Sequence, residues 1–438
     1  CETMYRRAGN RVGQLFLYPD TAVFDGAPSS VIMTTVVISP SNVADYPEGG
    51  GHFWVYMQYV QGLRALGCEV YWLEHFHGSR NDRHDRDSLR IFLDRLRRFD
   101  LADRVMIHSP GGGAPFPGEN DGSTITGNQA ERLCQGADLL LNFSYAITSD
   151  LLSRFRKTAL VDIDPGLLQF WMSQGQIEVA RHDLYFSTGE TVGKPDALFP
   201  DCGISWHRIR PIVSLKDWPV VFRPESKALT TISGWWGDEW ITDGGDICYE
   251  NNKRVSFMQF AELPRRTKQV IELALCLGEE GTQETSEIFL QGMADFSGVI
   301  SYQGDEVDRA IMQAQGWNIR LASDVASRPD DYRSYVQNSR GEFSCAKPSC
   351  MKFQNAWVSD RSLCYLASGK PVIVQNTGPS EFLPDAEGMF RFNTVDDALS
   401  AIDTMNSDYN RHCSAARELA ATYFDAEKVL ASILDLAV

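Results

Sequence analysis

The sequence predicts an α/β protein made of two Rossmann-like halves, each a parallel sheet wrapped by helices. Short β-branched or apolar runs alternate with helical spacing through the first half, and a second cycle of the same kind begins near residue 228. Between them, residues 206–220 (WHRIRPIVSLKDWPV) form a Pro-containing extended stretch that belongs to neither pattern. Length agrees, since 438 residues exceed one ordinary core and suit two of about 200. The expected halves are residues 1–215 and 216–438.

In the first half, residues 31–39 (VIMTTVVIS) read as a strand that Pro40 ends. Gly49, Gly50 and Gly51 then precede a helix in which Phe53, Tyr56, Met57, Val60 and Leu63 recur at helical spacing, until Gly67 stops it. Residues 69–73 form the next strand, and 104–108, 138–143, 158–163 and 184–187 continue the series. In the second half, strands are expected at 228–232, 287–290, 317–321, 342–346 and 371–375. Helices are expected at 265–277, 331–338 and 360–368, then in a helical tail at 396–406, 409–423 and 426–436. Strands joined by crossover helices pair in parallel.

Charge argues against one large class of function. Lys+Arg 41 against Asp+Glu 58 leaves −17, so no nucleic-acid partner held by phosphate neutralisation is expected. No apolar run approaches the roughly 20 residues that span a bilayer, so no membrane insertion is expected. The ten cysteines are scattered without a CxxC pair, which suits free thiols in a reducing cytoplasm. The chain opens on Cys1 with no charged-then-apolar leader, so we expect a trimmed start and no targeting signal. His75 and His77 flank Phe76 beside Glu74, but no second ligand cluster follows nearby. They read as a solvated strand end, and no metal site is expected.

Residues 359–381 carry the most chemistry. They read as a helix, a tight Gly turn, a buried strand and a small-residue turn opening a short helix near Pro379. Thr377, Gly378 and Glu381 then lie beyond the carboxyl end of a parallel strand, where open sheets bind ligands. Free N–H groups at a helix starting near Ser359 or Pro379 suit a phosphate, and a βα connection without any ligand explains the pattern equally well. Arg361 can offer a diphosphate two parallel donors, which a lysine cannot.

In the first half, Gly49, Gly50 and Gly51 permit close backbone approach of a phosphate or sugar. His52 follows, with an unperturbed pKa of about 6.5 that suits deprotonation of a hydroxyl. The same residues also fit a bare helix start. Asp162-Ile163-Asp164 has the DxD form that can hold a metal, while Pro165-Gly166 makes an acidic turn as good a reading. Asp162 or Asp164 is expected to act as the base if His52 does not. His108 has a weaker claim of the same kind. Most of the aromatics read as packing, and only Trp235, ending the first strand of the second half, is expected to face a ligand.

Ala367-Ser368-Gly369-Lys370-Pro371-Val372-Ile373 and Gly378-Pro379-Ser380-Glu381 resemble the donor-binding core of GT-B glycosyltransferases of the "glycosyl transferases group 1" type. Residues 339–347, Gly316-Trp317, Lys253 and Trp235 resemble a subgroup of these transferases, so the likeness covers roughly the whole second half. The two glutamates of that family fall here at Ala356 and Cys364, and Asp360, one helical turn before Cys364, is the substitute candidate. The resemblance implies a GT-B fold, with two halves facing across a cleft and the last helix or helices crossing back to the first half. It implies transfer of a hexose-type sugar from a nucleotide-diphosphate donor to the hydroxyl of a small-molecule or glycan acceptor. Trp235, Lys253, Glu342, Lys347, Asp360, Arg361, Ser362, Thr377, Gly378 and Glu381 would hold the donor, and the first half would supply acceptor site and base, with Asp162 or Asp164 lining the cleft as an acceptor contact. The nucleotide sugar is a co-substrate, and no further cofactor or metal is expected, because cations and helix N-termini can take the diphosphate charge. A nucleotide-sugar 2-epimerase and a catalytically silent nucleotide-sugar-binding protein fit the same frame. Sugar, nucleotide, acceptor, stereochemistry and oligomeric state stay open.

Overall fold

Parallel pairing runs through both large sheets, as crossover connections require. A computed structural model describes residues 33–78, 82–109, 124–236, 240–242, 248–277 and 304–438. The first sheet orders seven strands as β3 (Val105–His108), β2 (Glu69–His75), β1 (Thr35–Ser39), β4 (Leu139–Asn142), β5 (Thr158–Asp162), β6 (Leu184–Ser187) and β7 (Trp206–Arg208). The second orders six as β12 (Asn318–Leu321), β11 (Val270–Cys276), β8 (Ala228–Gly234), β13 (Gly341–Ser344), β14 (Val372–Gln375) and β15 (Met389–Phe392). A small antiparallel pair, β9 (Trp240–Thr242) with β10 (Cys248–Glu250), stands apart. Strand order reverses between β1 and β4 in the first sheet and between β8 and β13 in the second, which opens a crevice at each carboxyl edge.

The helices of the first half are α1 (Gly50–Ala65), α2 (Asp82–Arg98), α3 (Gly127–Gly136), α4 (Ser149–Leu152) and α5 (Leu167–Ser173). Those of the second are α6 (Lys253–Gln259), α7 (Gly304–Ala314), α8 (Ala322–Ala326), α9 (Pro329–Asn338), α10 (Pro348–Phe353), α11 (Asp360–Ala367), α12 (Val395–Ser407), α13 (Tyr409–Tyr423) and α14 (Ala426–Ala437). Residues 265–277 are not the expected helix. A 3-10 turn at Leu263–Arg266 leads into β11, whose Ile271, Leu273, Ala274 and Leu275 are buried. Leu and Ala favour helix locally, but a central parallel strand covered on both faces reads as the same apolar run, and tertiary burial decides. The strand expected at 287–290 lies outside the described residues.

One apolar core runs through both halves, from Val36 and Trp72 to Leu363 and Met389. Helix α1 lies at its centre. Its Gly62 abuts Leu430 and Ala426 of α14, so the final helix packs on the first. Trp54 donates its indole N–H to the Pro329 carbonyl (2.9 Å), and Gln58 accepts from the Ser214 amide (2.7 Å). The glycines at the start of α1 serve this junction. A Cβ on Gly50 would stand 2.3 Å from the Ala326 carbonyl oxygen and 2.6 Å from that of Arg328, and one on Gly51 2.6 Å from the Tyr332 ring. Gly49, the N-cap, is closed in by Tyr46 and His52. The expected phosphate loop at Gly49, Gly50 and Gly51 is therefore a correction: the close approach is made by the second half's own chain.

Candidate functional site

The carboxyl edges of the two sheets face each other. Asn355, after α10, donates to the Pro165 carbonyl (2.6 Å), and the Glu190 amide after β6 donates to the Asn355 carbonyl (3.1 Å). Lys347 Nζ after β13 stands 3.8 Å from Asp164 Oδ1 after β5. Helix α1 meets α11 at two places, with Gln58 Nε2 3.6 Å from Cys364 Sγ and the Asp360 carboxylate acting on His52. Their N-terminal ends therefore meet at this cleft, and two helix dipoles present their positive ends there.

Cations gather at the same place. Lys253 opens α6, and its pKa is lowered to about 7 by burial and by the positive charges of Arg361 and Lys347, with Asp360 and Glu342 acting the other way. Its ammonium makes no hydrogen bond or ion pair with another described residue. Because the folded pKa lies below the unfolded one, the folded state binds fewer protons between pH 7 and the ordinary lysine range. Lys253 thus penalises stability below pH 7, and the penalty fades as pH rises. An anion beside Lys253 favours its charged form. Affinity for a diphosphate is expected to fall as pH rises above 7, with proton uptake on binding, and calorimetry at pH 8 in buffers of different ionisation enthalpy measures both.

Behind α11 lies a small, partly open pocket lined by Ser344, Cys345, Trp357, Ser359, Ser362 and Gln375. Ser359 is the N-cap of α11 yet makes no capping bond, so the first amides of that helix keep their donors. Ser359, Ser362 and Gln375 are 8%, 1% and 6% exposed, and Gln375 Oε1 already accepts from the Ala346 amide (3.0 Å). Buried hydroxyls and a helix N-terminus beside Lys253 are groups suited to an anion.

His52 sits at the third position of α1, half-buried, and is lowered below its ordinary pKa chiefly by burial. Its Nε2–H donates to the Ser41 carbonyl (2.8 Å), and the rings of Tyr46 and Tyr56 stand edge-on to it at 5.4 and 5.3 Å. In the neutral ring that bond fixes the tautomer and leaves Nδ1 as the acceptor, and burial, by lowering the pKa, favours that neutral form. Asp164 is half-exposed in the cleft, and Asp360 makes no hydrogen bond or ion pair with another described residue.

Several expected contacts lie elsewhere. Asp162 is fully buried: Oδ1 accepts from Tyr145 Oη and the Asp164 amide (3.0 Å each), and Oδ2 from Gln169 Nε2 (2.8 Å) and Ser187 Oγ (2.7 Å). Burial raises its pKa to about 6, and with both oxygens occupied it organises the turn after β5 rather than acting as a base. Trp235 is fully buried in the second core, with its indole N–H on Asp308 (2.9 Å), so it faces no sugar. Glu342 is 0% exposed beneath α11 and accepts from Arg361 Nε (2.7 Å). Arg361 also donates to the Ile232 carbonyl (2.8 Å) and Ser344 Oγ (2.6 Å). Its guanidinium ties α11 to β8 and β13 and is no free diphosphate clamp.

Thr377 donates its hydroxyl to the Trp357 carbonyl (2.8 Å), and Gly378 has φ +126 where a Cβ would meet the Gln354 carbonyl oxygen at 2.7 Å. Both shape the cleft wall. No helix starts at Pro379. Instead Glu190 accepts from Ser380 Oγ and from the Glu381 amide (3.0 Å), while the exposed Glu381 side chain pairs with Lys194 at 2.8 Å. His75 is buried against Ser39 (2.8 Å), not a solvated strand end, and His108 lies beside it at the far strand β3. Among the described residues, no group of three His, Cys, Asp or Glu is placed to hold a metal. Nor is any helix there long and apolar enough to cross a membrane. Gln375 and Glu190 were missed in the sequence, whereas the helix start near Ser359 was named there as suited to a phosphate. The Ser187-Thr188-Gly189-Glu190 turn directly after a strand is the signal that marks Glu190.

No protein-family model matches the sequence, and no curated protein sequence matches it. Solved structures share the fold. Alpha-glucosyltransferase in complex with UDP and a 13-mer DNA containing a HMU base is similar over 92% of this chain and 99% of its own, with 12% identity and a TM-score of 0.55. The glycosyltransferase from Rickettsia africae is similar over 93% and 98%, at 12% identity and TM-score 0.52. Anabaena HepE in complex with UDP and glucose is similar over 92% and 99%, at 9% identity and TM-score 0.51. The fold of this chain is GT-B.

Proposed function

We propose that the protein is a metal-independent glycosyltransferase that moves a hexose-type sugar from a nucleotide-diphosphate donor to an acceptor hydroxyl. The observation that carries this is Lys253, a cation without a partner among the described residues, set beside Lys347 at the uncapped N-terminus of α11. The neighbours' UDP complexes make uridine diphosphate the first donor nucleotide to test.

In this reading the acceptor oxygen bonds to the anomeric carbon while the bond from that carbon to the diphosphate breaks. The leaving diphosphate keeps the electron pair, and Lys253, Lys347 and the α11 amides take its charge. The acceptor proton passes to His52 Nδ1, with Ser41 holding the ring. One neighbour was solved with DNA, so the GT-B frame itself admits a nucleic-acid acceptor. A net charge of −17 favours a small-molecule or glycan acceptor instead. Incubation with UDP-sugars and an acceptor panel tests the reading, and turnover is expected to persist in EDTA. Full loss in EDTA, restored by Mg²⁺ or Mn²⁺, would contradict a leaving group stabilised by side chains alone.

A further inference from the structure

We propose that Lys347 couples donor binding to acceptor binding by exchanging its carboxylate partner, Asp164, for the donor's diphosphate. The proposal rests on the nucleotide-sugar reading above. The Lys347–Asp164 contact joins the two sheets' carboxyl edges across the cleft, and at 3.8 Å, with the side chains 25% and 39% exposed, it is a long and weak pair. Lys347 is also close enough to Lys253 for the two positive charges to repel. A diphosphate between the lysines offsets that repulsion and offers Lys347 two or more anionic oxygens in place of the distant Asp164 carboxylate. Asp164 does not follow, because its amide is tied to Asp162 Oδ1 (3.0 Å) and Asp162 is locked by Tyr145, Gln169 and Ser187. The freed Asp164 carboxylate then accepts a hydrogen bond from a second acceptor hydroxyl, beside the one that His52 deprotonates, on the first-half side of the cleft. Donor before acceptor is the resulting order of binding.

The test is a double-mutant cycle read by calorimetric titration of UDP into wild type, Asp164→Asn, Lys347→Gln and the double variant. Both side chains reach solvent, so the variants are expected to keep the wild-type melting temperature. With Lys347 present, Asp164→Asn is expected to tighten UDP binding about two- to fivefold, because the competing carboxylate is gone. In the Lys347→Gln background the same substitution is expected to change nothing. Equal tightening in both backgrounds means a general loss of negative charge near the phosphates and overturns the exchange, as does no tightening at all. If wild type binds neither UDP nor inorganic pyrophosphate, the nucleotide-sugar reading fails and the exchange fails with it. Pyrophosphate and UDP binding without coupling fails the exchange alone.

Discussion

Arg361→Ala is expected to lower the stability of the fold by about 3–5 kcal/mol, measured by urea unfolding. The guanidinium is 7% exposed and donates to Glu342, the Ile232 carbonyl and Ser344. Its removal leaves the Glu342 carboxylate at 0% exposure without its counter-charge, beside a second carboxylate oxygen that already lacks a partner. Removing one member of such a pair costs far more than removing both, because the surviving charge has no water to turn to. Arg361→Met with Glu342→Leu is therefore expected to recover most of the loss. An Arg361→Ala protein of wild-type stability would show that the pair does not anchor α11.

The second large effect is catalytic. His52→Ala is expected to lower kcat about 10²–10⁴-fold while leaving UDP affinity nearly intact, because His52 meets the acceptor rather than the diphosphate. In wild type, the ascending limb of kcat/KM should lie below the ordinary histidine pKa, since burial lowers that of His52. The limb should vanish in the variant. A loss of less than about tenfold would pass the role of base to Asp164, the other half-exposed cleft group on the first-half side.

The parallel architecture was legible because its strands are short, β-branched and separated by turns with clear chemistry. β1 and β14 show it best, each a buried apolar run ended by a polar turn. β11 was not legible, since Glu272-Leu273-Ala274-Leu275 favours helix until β8 and β12 pair with both of its edges. The glycines before His52 were visible, but their purpose depends on residues 326–332, which only the folded chain brings to them. The charged candidates divided on burial. Glu342 and Arg361 look like pocket residues in sequence, and α11 lying on β13 turns them inward onto each other. Lys253 looked like any lysine at a helix start, distinguished only by resemblance, and the cleft leaves it as a charge without a partner among the described residues.

Calorimetric titration of UDP into wild type and Lys253→Met tests the central claim most directly. Lys253 makes no hydrogen bond or ion pair with a described residue, so its loss is expected to leave the fold as stable or more so. A charge-assisted contact to a diphosphate contributes roughly 1.5–3 kcal/mol, so UDP binding should weaken about ten- to a hundredfold in the variant. UDP binding of equal strength in both proteins, or none to wild type at millimolar concentration, would contradict a nucleotide-diphosphate site at this cleft.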